Sequence, residues 1–236
     1  MKSIKQLSLA ETGFLPKVAK QSWKAVFLSE METVVPWSRL EALIEPLYPK
    51  KGNCRPPIPL GAMLRIHFMQ QWSGYPVPAM EEALHIVPVL RQFARLGSFE
   101  DVMPDESTIL HFRHLLEQNE LAAAIFAEVN VVLSEKGPSM KHDLVVEATL
   151  IAAPSSTKNH KCDELTEQQK KSNWILSAIR ALVEHSFRVI RQQFGFTKVR
   201  YRGLKKNTGQ IVTLFALSNL WMARHRLMTK IGEVRP

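Results

Sequence analysis

The sequence predicts a mainly α protein in two parts, a helical N-terminal domain over residues 1–137 and a shorter α/β portion with basic C-terminal helices over residues 138–236. Three observations predict it. Through the first part, apolar residues recur at helical spacing between Pro and Gly breaks. The chain's one strong β-branched run, Leu144 to Ile151, comes only after those breaks. Positive charge is confined to the last third: from Lys158 onward 16 Lys and Arg stand against five acids, a net +11, whereas the first 157 residues carry −2.

The elements follow in order. Pro36 starts a short amphipathic helix with Leu40, Leu43, Ile44 and Leu47 on one face, and Pro49 stops it. A basic, proline-rich loop from Lys50 to Pro57 precedes a helix from Leu60 to Trp72, whose apolar face carries Leu60, Met63, Leu64 and Phe68 and which ends at Gly74 and Pro76. A further helix runs from Ala79 toward Leu96 and breaks or bends at Pro88, whose ring removes a backbone donor. Pro104-Asp105-Glu106-Ser107 is a strong helix start with Asp105 as the cap. That helix turns Ile109, Phe112, Leu115 and Leu116 inward and Thr108, His111, Arg113 and Gln118 outward. A helix from Leu121 to Leu133 closes at Gly137-Pro138. Short helices joined by tight breaks resemble a helix-turn-helix arrangement, and the same pattern also suits a helical bundle with no DNA role. After the strand, Trp174 to Gln193 is an amphipathic helix, and Thr208 to Leu227 is a helix apolar on most sides, which must be buried by something.

A chain of 236 residues, 45% hydrophobic, can bury a sizeable core. No apolar run approaches the roughly 20 residues of a membrane span. The N-terminus lacks a secretory pattern, so the expected location is cytoplasmic. Cys54 and Cys162 have no partners at zinc spacing and read as reduced thiols. The net charge of +9 favours a polyanionic partner, since each neutralised phosphate releases counterions.

Two acids could carry chemistry. Glu147 interrupts a hydrophobic strand, where an unpaired carboxylate is costly and calls for a cation or metal; it could equally face solvent beside Val145 and Thr149. Glu184 has Arg180 one helical turn before it and Arg188 one turn after, with Arg191 on the same surface. This is either a solvated charge ladder or a metal-binding acid among phosphate-binding arginines.

The stretch from Val145 to Asn159 resembles the first catalytic strand and loop of InsH-like DDE transposases. Arg180 to Phe196 and Val199 to Leu204 resemble the last catalytic helix and its continuation. Arg55 to Leu60, Ala79 to Leu84 and Pro104 to Leu110 are similar to the family's N-terminal domain, and the matches keep family order over most of the chain. The resemblance implies an RNase H-like sheet with flanking helices and a triad of carboxylates holding two Mg²⁺ ions that cut and join DNA at transposon ends. It gives Glu147 and Glu184 as catalytic and metal-binding acids, with Arg180 and Arg191 as basic companions.

Departures from the family pattern accompany it. Glu147 stands where the family has aspartate, Arg191 where it has lysine, and Ser177 where an aromatic often precedes the arginine. Only 37 positions separate Glu147 from Glu184, and only Asp163, Glu164 and Glu167 are acidic between them, in a segment with no strand pattern. The expectation is an internally shortened transposase, a truncated RNase H-like remnant that binds DNA and lacks an assembled metal site. Non-specific affinity is expected from Arg188, Arg191, Lys198, Arg200, Arg202, Lys205 and Lys206, a run of cations without an acid, and sequence preference from Arg113 and His111. Two other functions remain open: an active nuclease whose missing ligand comes from another chain, as in a homo-oligomer, or from an unsuspected acid, and an interaction protein that pairs with intact transposase.

Overall fold

The computed structural model describes residues 22–50, 57–97, 102–136 and 184–233, and every regular element among them is helical. The expected strand over 144–151 and the junction carrying Asp163, Glu164 and Glu167 lie outside the described residues.

Helix α1 (Trp23–Val34) opens at Ser22, whose hydroxyl accepts from the Ala25 amide at 3.2 Å and satisfies one of the free donors of the first turn. Phe27, Leu28, Met31 and Val34 form its buried stripe. Pro36 then starts α2 (Trp37–Ile44), as its fixed φ and missing donor favour, and Trp37, Leu40 and Ile44 point inward. A 3₁₀ turn (Glu45–Leu47) ends this pair.

Helix α3 (Leu60–Ser73) is the axis of the molecule. The sequence predicts one apolar face, yet every residue from Ala62 to Trp72 is buried, including Arg65, His67, Gln70 and Gln71. Neighbours on all sides account for the difference: α2, α4, α6 and α9 all pack on it. Burial of Arg65, 2% exposed, is possible because its guanidinium meets Glu32 through two hydrogen bonds, at 2.9 and 3.2 Å, and the Gly61 carbonyl at 3.0 Å, while stacking 4.1 Å over Trp37. The helix stops at Gly74, whose φ of 62° only glycine adopts without strain.

The expected break at Pro88 is where α4 (Val77–Ile86) gives way to α5 (Pro88–Phe93), with Val87 extended between them. Helix α6 (Glu106–Gln118) has the expected cap, the Asp105 carboxylate accepting from the Thr108 amide at 2.8 Å. Ile109, Phe112 and Leu116 are buried as expected. Arg113 is a correction to the outward set: its side chain is only 14% exposed, because Glu117 one turn on and Tyr201 from the C-terminal part cover it. Thr108 is likewise half-buried, while His111 and Gln118 are exposed.

After α7 (Leu121–Lys136), the next described residues, 184–192, are helical (α8) and fall within the expected helix from Trp174 to Gln193. Helix α9 (Leu204–Glu233) starts four residues earlier than its apolar pattern predicts. It buries a continuous run from Thr213 to Leu220, with Ala223 and Leu227. What covers it is chiefly α7, with α1 and α3, so residues of the basic C-terminal part share one hydrophobic core with the first helices. Gly209 lies beside α7 there, where a Cβ would meet Ala122 at 3.9 Å, an ordinary van der Waals contact. No helix among the described residues is long and apolar enough to cross a membrane.

Candidate nucleic-acid interface

The cations expected to meet DNA converge on the link between α8 and α9. Lys198, Arg200, Arg202, Lys205 and Lys206 are all exposed there, and Arg188 and Arg191 are exposed on α8. The link has a fixed shape because Asn207 acts as a clamp. Its Oδ1 accepts from the Tyr201 amide at 3.2 Å, and its Nδ2 donates to the carbonyls of Tyr201 at 2.6 Å and Gly203 at 2.8 Å. Gly203, at φ 94°, supplies the turn.

Three contacts seat this clamped link on the helical part. The Arg200 guanidinium lies over Gly74, 2.8 Å from where a Cβ would stand. Arg113 stacks 4.4 Å from the centre of the Tyr201 ring. Lys205 reaches Glu120 at 2.8 Å and holds that carboxyl below the ordinary carboxylate value, although both side chains are more than two-thirds exposed. On α8, Arg188 Nε donates to Gln192 at 3.1 Å. Arg202 and Lys206 have no carboxylate partner among the described residues.

Between the link and the helices lies a groove of about 870 Å³. Its inner wall holds His67, Gln71 and Gln210, its side Tyr201 and Arg113, and its rim Arg202 and Lys206. His67 is 7% exposed and makes no hydrogen bond with a described residue. Burial, and secondarily the Arg113 charge, lower its pKa to about 4, so the imidazole is neutral near pH 7. Gln210 Nε2 donates to Gln71 Oε1 at 3.3 Å, while Gln210 Oε1 is buried without a donor among the described residues. Sequence reasoning missed this group. The one signal in the sequence was the grouping of His67, Gln70 and Gln71 within a largely apolar helix.

The two expected catalytic acids are not brought together among the described residues. Glu184 is exposed at the first described position of α8; Glu147 and Arg180 lie outside. Among the described residues, no group of three or more His, Cys, Asp or Glu could hold a metal ion.

Residues 17–115 match the family model described as Transposase domain (DUF772), and residues 116–220 match the model described as Transposase DDE domain. No solved structure matches. The two matched segments meet inside α6 and run without a gap over the helical part, the clamped link and most of α9. With that extent and order, the chain belongs to the DDE transposases of insertion sequences, with the InsH-like arrangement of a DUF772 domain followed by a DDE domain.

Proposed function

We propose that this chain is a DNA-binding transposase of an insertion sequence whose strand-cutting and joining activity is lost through internal shortening. The observation that carries DNA binding is the run of seven cations without an acid from Arg188 to Lys206, all exposed, in a chain of this family. Transposon ends are the polyanion proposed. His111, exposed on the capped helix α6, is the first candidate for a base contact. Arg113, held by Glu117 and Tyr201, would need to leave its stack to reach a groove and is the second.

The proposed defect rests on spacing. Glu147 and Glu184 are the acids assigned to Mg²⁺, and the 36 residues between them leave too little chain for the strands and the second aspartate of an RNase H-like core. A two-metal site needs carboxylates converging on ions about 4 Å apart. Glu147 is also longer by a methylene than the family's aspartate.

The experiment is a salt titration of the purified chain on transposon-end and random duplexes, followed by incubation with Mg²⁺ or Mn²⁺. Replacing Arg200, Arg202, Lys205 and Lys206 by neutral residues should weaken binding to every sequence. It should also flatten the slope of log affinity against log salt by up to about 3.6, at about 0.9 for each phosphate that is no longer neutralised. An unchanged slope would remove the link from the interface. Neither the native chain nor Glu147→Asp should cleave; cleavage that disappears in Glu184→Ala would refute the shortening argument and require a ligand from a second subunit or from Asp163, Glu164 or Glu167.

A further inference from the structure

We propose that the groove between α3, α6, α7 and the start of α9 takes up a single unpaired nucleotide of bound DNA, with its base against Tyr201 and its phosphate at Arg202 and Lys206. This rests on the DNA-binding reading and goes beyond it by naming a pocket and the form of DNA that fills it.

The groove holds three kinds of group that a nucleotide needs together. The first is a planar surface: the Tyr201 ring, backed by the Arg113 guanidinium 4.4 Å from its centre, is the kind of group on which bases stack irrespective of sequence. The second is an inner set of donors and acceptors. Among the described residues, His67 is nine-tenths buried, lines the groove and makes no hydrogen bond, and Gln210 Oε1 is buried without a donor. Buried polar atoms are ordinarily satisfied, so the unmet Gln210 Oε1, beside an imidazole that makes no hydrogen bond among the described residues, asks for a ligand with a polar edge. An apolar peptide would leave these atoms unmet, whereas a base offers both donors and acceptors on one edge. The third is charge: Arg202 and Lys206 stand at the rim without carboxylate partners among the described residues, while the nearby acids Glu117 and Glu120 are already paired with Arg113 and Lys205.

Size agrees with this composition. The volume of about 870 Å³ lies within the roughly 300–1,000 Å³ of small-ligand sites. A base inside a duplex cannot present its edge and both faces to such a pocket, so the nucleotide must leave the stack. Unpaired or terminal nucleotides leave it at least cost. A free mononucleotide has the same chemistry, and the experiment separates the two sources.

The full chain would be titrated with two duplexes of equal length, one fully paired and one carrying a single unpaired fluorescent adenine analogue, and separately with deoxyadenosine monophosphate. The unpaired duplex should bind at least about fivefold tighter, the lower end of what one stacked base contributes, and its analogue should change emission on binding. Thr208→Trp and Ala123→Trp place a large side chain in the groove from exposed positions of α9 and α7 that lie outside the hydrophobic core. Both should abolish the preference while leaving paired-duplex affinity unchanged. Equal affinity for the two duplexes, or a preference that survives both substitutions, overturns the proposal. Binding of the mononucleotide without any duplex preference assigns the pocket to free nucleotide and overturns the DNA form. If neither duplex binds, the DNA-binding reading has failed. The pocket then stands on mononucleotide binding that disappears in both filled variants, and falls if there is none.

Discussion

His67 should make the protein acid-labile in a measurable window. Its imidazole is enclosed by Phe68 and Phe112, with the Arg113 guanidinium as the nearby charge, and its pKa falls from 6.5 to about 4. The unfolded chain takes up a proton near pH 6.5 and the folded chain does not, so the unfolded state binds more protons and stability falls with acidification. The contribution is absent above about pH 6.5 and grows to its full size near pH 4. The fall from 6.5 to about 4, at about 1.4 kcal/mol for each tenfold change in proton affinity, gives roughly 3 kcal/mol. The assay is urea unfolding followed by helical circular dichroism, for the native chain and His67→Gln, from about pH 7.5 to about pH 4.5. Carboxylate titration affects both proteins alike, so the difference isolates the imidazole. The native chain should lose about 2 to 3 kcal/mol more than the variant across that range. Identical pH dependence would mean that His67 is hydrated or paired in solution, and would refute the burial argument.

Two further outcomes follow from packed groups. Glu32→Ala leaves the buried Arg65 with Glu41 at 3.5 Å as its one carboxylate among the described residues, beside the Gly61 carbonyl at 3.0 Å, and should cost about 2 kcal/mol. That is less than the roughly 3–5 kcal/mol of a fully buried broken pair, because Glu32 is a third exposed. Adding Arg65→Met should recover part of the loss in a double-mutant cycle, whereas the exposed Lys205–Glu120 pair should show no measurable coupling; equal coupling in both cycles would contradict the burial difference. Gly74→Ala should cost about 1–2 kcal/mol for a left-handed φ, while its methyl group displaces only the exposed end of the Arg200 side chain. In an Arg200→Ala background the cost should be nearly the same, as read from thermal melts; a much smaller cost there would mean that the Arg200 guanidinium is held in place over Gly74.

The features legible in the sequence are those whose physics is local. Asp105 caps α6 because its carboxylate reaches an amide three residues on, Pro88 parts α4 from α5 through its own ring, and Gly74 ends α3 through its own φ. Helix α3 shows where this stops. Its polar residues read as a solvent face because their partners are remote: Glu32 lies 33 positions before Arg65, and Gln210 lies 139 after Gln71. Periodicity can say that α9 needs a cover on most sides; it cannot say that α7 supplies it. The DDE resemblance rests on long ordered text and identifies the family, yet it places no side chain.

Arg113 joins these two limits and changes how the interface should be pictured. On the helix surface it shares an exposed turn with His111 and reads as a base-contact candidate, but Tyr201, 88 positions later, returns to cover it. A charge count treats Arg113, Arg202 and Lys206 as equal cations. Geometry separates them. Arg113 spends its planar face on Tyr201 and its charge on Glu117, so its substitution acts first on the seating of the link. Arg202 and Lys206 are exposed on the link that Arg113 steadies, and can give their full charge to phosphate at little cost. On the proposed DNA-binding reading, the helical domain contributes even where it touches no DNA, by fixing the position from which the link's cations act.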